Sequence, residues 1–233
     1  MAHILSSFDE DFTQINATIA QLGGIAEAQL LEVTDYLEKR KVDGLDALIA
    51  RDKELDKLDQ DLHEQAIRLI ALRAPMAQDL RRVIVALKVA SSLERIGDYS
   101  KNIAKRSKVV IPAQLDGAPM ASLIRMSGMV QEMLHSVMDA YMEMDANLAD
   151  EIRARDLEVD KLHTSLFKSL LEAITEQPDK VAIGSHLLFI AKNIERIGDY
   201  ATNIAEQVYF LVHGEFPSDE RQKADTSSLT QDD

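Results

Sequence analysis

Glu94 and Asp98 stand four residues apart, and so do Glu195 and Asp199. On a helix that spacing puts both carboxylates on one face, one turn apart. Asp52 with Asp56, and Asp156 with Asp160, repeat the arrangement in the segments before them. Like charges so placed destabilise an isolated helix by roughly a few tenths of a kcal/mol per pair, so four such pairs ask for a compensating cation. Hard oxygen donors suit magnesium, calcium, manganese or iron, and the chain has no cysteine to hold a sulfur-loving ion. If the paired helices are neighbours, Asp52, Asp56, Glu94 and Asp98 converge on one spot. Asp156, Asp160, Glu195 and Asp199 converge on another. A rival reading needs no metal: Arg95 and Arg196 neutralise the acids as ordinary salt bridges.

The elements that carry these acids occur twice. Glu94–Tyr99 and Glu195–Tyr200 are the same hexapeptide, Glu-Arg-Ile-Gly-Asp-Tyr, at an offset of 101. Ala50-Arg51-Asp52 recurs as Ala154-Arg155-Asp156, and Asp56-Lys57-Leu58 as Asp160-Lys161-Leu162, at an offset of 104. A six-residue identity marks an internal duplication, which governs the architecture. Between sparse breaks the chain is rich in helix formers and lacks alternating β-branched runs. The pattern predicts six long helices over about 5–40, 43–73, 77–109, 119–146, 149–176 and 179–213. Asp43-Gly44, the Pro75 turn, the Ile111–Pro119 linker, Asp145–Asp150 and the Pro178 turn separate them. Short connections make successive helices antiparallel neighbours. The expected fold is therefore all-α, two tandem three-helix bundles over 1–112 and 113–213 packed side by side, with a disordered acidic tail over 214–233.

Helical periodicity places the acids within this frame. At about 100° per residue, Val85, Val89, Leu93, Ile96 and Ile103 share one side of their helix, as do Ile190, Ile194, Ile197 and Ile204. The acids fall away from those stripes and are expected on the bundle surface. Gly97 and Gly198, each between two acids, cost about 1 kcal/mol in a helix interior. They suggest a close approach by a neighbouring helix or a ligand.

Other chemistries fit less well. A ferritin-like di-iron centre needs two Glu-x-x-His elements; Glu132…His135 is one, and its counterpart in the first half is Ala28…Leu31. His63, His163 and His186 read as ordinary helix-surface or boundary residues. Arg68, Arg73, Arg81 and Arg82 gather around the Pro75 turn, where ion pairing outweighs a phosphate site. The methionines between Met126 and Met144 read as core packing. There is no nucleotide-binding glycine loop, nucleophile elbow or zinc-protease helix, so no enzyme is expected.

Composition narrows the partners. In 233 residues the net charge is −14, which disfavours nucleic acid and an anionic membrane surface and favours metal cations or basic protein surfaces. No window is long and apolar enough for a membrane span, so membrane association is expected only through partners. The absence of cysteine and of a leader pattern fits the cytoplasm.

The doubled Glu-Arg-Ile-Gly-Asp element followed by Asn-Ile, the acid-x-x-x-acid helix before each copy, the Arg73–Arg81 turn and Gly23-Gly24 together resemble the PhoU family of bacterial phosphate-uptake regulators. The resemblance runs from about His3 to His213. It implies tandem three-helix bundles, often homodimeric, with multinuclear clusters of divalent or trivalent ions such as iron, zinc, magnesium or manganese. Carried over by matching motifs, Asp52, Asp56, Glu94 and Asp98 hold one cluster, and Asp156, Asp160, Glu195 and Asp199 the other. It further implies a non-enzymatic negative regulator of phosphate uptake and of the phosphate-starvation regulon. Its implied partners are the ATPase subunit of a phosphate ABC transporter and a sensor histidine kinase. The alternative from another class is a metal-storage or metal-dependent redox protein.

Overall fold

Long stretches of Ala, Leu, Glu, Lys and Arg between few breaks give long helices. The computed structural model describes residues 2–113, 118–176, 178–218 and 224–225. It contains α1 (Ala2–Glu38), α2 (Leu45–Arg73), α3 (Gln78–Val110), α4 (Ala118–Glu143), α5 (Ala146–Glu176) and α6 (Val181–His213). Short 3-10 turns at Ile111–Ala113 and Pro178–Lys180 lead towards α4 and into α6, and no strand occurs among the described residues. Every helix end lies within three residues of its expected position. Residues 114–117 of the expected linker, Gln177 of the second turn, and 219–223 and 226–233 of the tail lie outside the described residues.

The breaks have local causes. Gly44, at φ 102°, opens α2 in a conformation only glycine adopts freely. Ala74, in the left-handed region at φ 45°, closes α2 with its N–H bonded to the Ile70 carbonyl, and Pro75, which has no N–H to continue the helix, follows.

Within each half, three consecutive helices pack on one another. The two halves then meet along two seams, α3 against α6 and α1 against α4. Tyr99 and Tyr200, the last residues of the two hexapeptides, stand ring to ring at 5.8 Å. Farther along, Arg106 covers the Phe189 ring at 4.0 Å and Arg81 covers Phe210 at 5.3 Å, so α3 and α6 run antiparallel. On the second seam Thr34 bonds Ser127 at 2.6 Å, while Gly23 lies against Met138. By the repeat offset these two contacts are copies of one another. A local two-fold rotation therefore relates the halves.

The core follows the expected stripes. Val85, Val89, Leu93, Ile96 and Ile103 on α3 are buried, as are Ile190, Ile194, Ile197 and Ile204 on α6. Each such side chain contributes about 1.5–3 kcal/mol on leaving water. Met126, Met133 and Met138 are in the core as expected, whereas Met142 and Met144 are exposed. Around the Pro75 turn, Arg73 pairs with Asp11 at 2.9 Å and Arg82 with Asp9 at 3.4 Å, which ties the turn to α1.

Candidate functional site

The α2/α3 and α5/α6 pairs each carry their acids along the line where two helices meet. That placement corrects the expectation that all the acids lie on the surface. Asp52, Asp156, Asp160 and Glu195 are 6%, 1%, 2% and 4% exposed. Glu94, Asp98 and Asp199 are half-buried, and Asp56 is exposed. A residue outside the apolar stripe of its own helix is still covered when the neighbouring helix runs over it. Single-helix periodicity does not carry that information.

In the first half the Lys101 ammonium stands between the acids. It bonds to Asp52 on α2 and, at 2.6 Å, to Asp98 one turn before it on α3. Burial pulls this lysine's pKa down, but the two carboxylate bonds more than reverse that and hold it above the ordinary lysine value. Arg95 lies 3.6 Å from Glu94 and 3.3 Å from Asp98, so part of the salt-bridge reading is realised here. Its side chain is 57% exposed, however, and an exposed pair of this kind contributes little. Glu94 is pushed above the usual carboxylate range by burial first and by the Asp98 charge second. Asp59, on the next turn of α2 from Asp56, is also raised by burial, and its Oδ1 is buried without a hydrogen-bond partner.

The second half solves the same problem with different residues. Lys192, one turn before Glu195, bonds it at 2.9 Å. By the repeat offset Lys192 corresponds to Ser91, and Lys101 corresponds to Thr202. Each cluster has thus acquired its own lysine from opposite sides of the hexapeptide. Glu195 is raised by burial, and its Oε2 is buried with no hydrogen-bond partner. Asp156 lies beside Gly198, its Oδ1 3.6 Å from where a Cβ on that glycine would stand.

The two glycines differ in consequence. A Cβ at Gly97 would run into Leu55 of α2 and crowd Gln29 of α1, so the close approach expected there is present. A Cβ at Gly198 would meet nothing nearer than 3.5 Å, an ordinary contact.

As they stand, no three carboxylate or imidazole groups among the described residues are close enough together to hold an ion. In the first half a lysine ammonium fills the space between two acids, and in the second it holds Glu195. The donor set nevertheless fits a hard cation. Its atoms are carboxylate oxygens, Glu94 and Glu195 are destabilised as anions, and Glu195 Oε2 is an acceptor with no donor.

Sequence reasoning missed the lysines and misplaced one histidine. Lys101 and Lys192 were legible as i+3 and i−3 neighbours of Asp98 and Glu195. His163, expected at the surface or a boundary, is 1% exposed and faces Lys192 and Asp225, with its pKa lowered by burial. The ferritin-type alternative gains nothing: His135 is exposed on α4 beside Glu27 and Asp139, away from both clusters.

Known proteins agree with this doubled arrangement. The PhoU domain matches the chain over residues 19–107 and again over 123–208, once in each half. A phosphate-specific transport system accessory protein PhoU homolog of Caulobacter vibrioides is 41% identical over 226 residues, 97% of this chain and 98% of its own length. The homolog of the same description from Rhizobium meliloti is 39% identical over 227 residues, 97% and 96% of the two lengths. The crystal structure of PhoU from Pseudomonas aeruginosa matches the fold with a TM-score of 0.86 at 26% identity, covering 89% of this chain and 100% of its own. That of the phosphate transport system regulatory protein PhoU from Streptococcus pneumoniae gives 0.84 at 26%, covering 91% and 99%. With one such domain in each half, and agreement along nearly its whole length, the chain belongs to the PhoU family.

Proposed function

We propose that this chain is a negative regulator of phosphate uptake and of the phosphate-starvation response, acting by protein contact rather than by catalysis. Its partners are the ATPase subunit of a phosphate ABC transporter and a sensor histidine kinase. It works in the cytoplasm as a homodimer, and no helix among its described residues is long and apolar enough to cross a membrane. The relatives' descriptions as accessory and regulatory proteins of phosphate transport support this reading. The observation that carries it is the pair of acidic clusters, one per half, on a PhoU-family scaffold.

The clusters serve as cation sites that set the shape and charge of the surface partners meet. Asp52, Asp56, Glu94 and Asp98 hold one ion or group of ions, and Asp156, Asp160, Glu195 and Asp199 the other. Magnesium, manganese, iron and zinc are the candidates for this oxygen donor set. A bound ion replaces the lysine ammonium, neutralises acids that burial has made costly to ionise, and pins α2 to α3 and α5 to α6.

Alkaline phosphatase activity tests the regulatory role in a strain lacking this gene and grown in abundant phosphate. High activity, returned to baseline by the wild-type gene, is the expected result. Activity that stays low in the deletion strain would sink the repressor role and move metal storage forward.

A further inference from the structure

The second cluster has a visitor from far along the chain. Asp225 Oδ2 accepts a hydrogen bond from Lys192 Nζ at 3.0 Å. Asp225 Oδ1 lies 3.3 Å from His163 Nδ1 and accepts from Thr164 Oγ1 at 3.4 Å. The backbone joins in: the Ala224 N–H donates to Asp160 Oδ2 at 2.9 Å, and the Ala224 carbonyl accepts from Thr164 Oγ1 at 3.4 Å. The Asp225 side chain is 13% exposed. Two successive residues therefore engage α5 through Asp160, His163 and Thr164, and α6 through Lys192.

Charge makes this contact selective. Asp160 and Glu195 repel an incoming acid, and the Asp225 charge helps raise Glu195. Against that repulsion the Lys192 ammonium supplies a charge-assisted bond. In the first half His163, Thr164 and Lys192 correspond to Asp59, Gln60 and Ser91, and the lysine that half does carry, Lys101, is already held by Asp52 and Asp98. All three contact positions therefore differ between the halves. His163 and Lys192 also border a cleft of about 300 Å³ lined by Phe167, Leu188 and Phe189, which prolongs the groove with an apolar floor.

We propose that the α5/α6 groove of the second half is a docking site for an acidic segment, and that the chain's own Ala224-Asp225 is its occupant, anchored by the Asp225 carboxylate. Docking sets Ala224 and Asp225 against the second cluster, so among the described residues the two halves present different surfaces. The Asp225 contacts themselves are made with Lys192, His163 and Thr164, none of which is among the proposed cation ligands.

Amide hydrogen exchange by mass spectrometry, on the full chain in a chelating buffer, tests it. The reference is the free exchange rate of a synthetic peptide of residues 219–233. Segments containing Ala224 and Asp225 are expected to exchange about tenfold or more slowly in the chain than in the peptide. Asp225→Ala is expected to return them to the free rate, as is Lys192→Met. Asp225 belongs to none of the six helices, so its replacement reads the anchor rather than the fold. Exchange at the free rate in the wild-type chain, or protection unchanged in Asp225→Ala, would overturn the proposal. With chelator present, neither outcome depends on a cation at the cluster.

Discussion

Gln29 sits in the interior of α1 with no exposed surface, and neither of its amide side-chain atoms has a hydrogen-bond partner. A buried amide without partners costs about 1–3 kcal/mol. The duplicated position is Met133, equally buried, which shows what the same site accepts in the other half. Gln29→Met is expected to stabilise the chain by about 1–2 kcal/mol, read as a higher denaturant midpoint with unchanged slope. Lys101 is the opposite case, because Asp52 and Asp98 both rely on it. Lys101→Met is expected to destabilise the cation-free chain by about 2 kcal/mol, since it leaves the buried Asp52 without its partner. Saturating manganese should restore most of that loss in a thermal melt. A variant that manganese cannot rescue would mean the Asp52–Asp98 pair has no use for a cation. The raised Glu94 and Glu195 set the sign of a pH effect. Their folded forms favour the proton, so the stability they contribute is present below the ordinary glutamate pKa and is lost as pH rises through the raised one. A cation relieves that loss where both are ionised, and protons compete with it where they are not. The melting-temperature gain from manganese should therefore be larger near pH 7 than near about pH 4.5; an equal gain at both would contradict the assignment.

At the scale of the helices, the two glycines of the repeated hexapeptide should separate. Ala is better than Gly in a helix by about 1 kcal/mol, and nothing opposes it at Gly198. Gly198→Ala is expected to be neutral or stabilising by up to about 1 kcal/mol. At Gly97 the new methyl must push Leu55 aside, and overpacking a core costs about 1–3 kcal/mol, so Gly97→Ala should be a net loss. Paired thermal melts decide it, and equal effects would refute the asymmetry. This difference shows the limit of the sequence. Helix spans were legible because Pro75, Gly44 and Pro178 punctuate strongly periodic stretches, and the duplication marked which acids recur in both halves. The burial of Asp156, Asp160 and Glu195 was not legible, because it depends on how α5 and α6 lean together. The seat of Asp225 on Lys192 was hidden for the same reason, being a contact between residues 33 positions apart with no local pattern.

The whole molecule is two copies of one bundle joined back to back. Tyr99 meets Tyr200 on one seam, and the Thr34–Ser127 and Gly23–Met138 contacts mirror each other on the second. Because both seams bury core side chains of both halves, calorimetry should show a single cooperative transition. Two resolved transitions would mean the halves are independent. On this scaffold we propose that regulation runs through the acidic clusters. Alkaline phosphatase activity in phosphate-replete cells tests it most directly, comparing a deletion strain that carries the wild-type gene with one that carries the quadruple variant Glu94→Ala, Asp98→Ala, Glu195→Ala, Asp199→Ala at matched protein level. Wild type is expected to silence the enzyme while the folded variant leaves it high. Full silencing by the variant would show that regulation does not need these carboxylates.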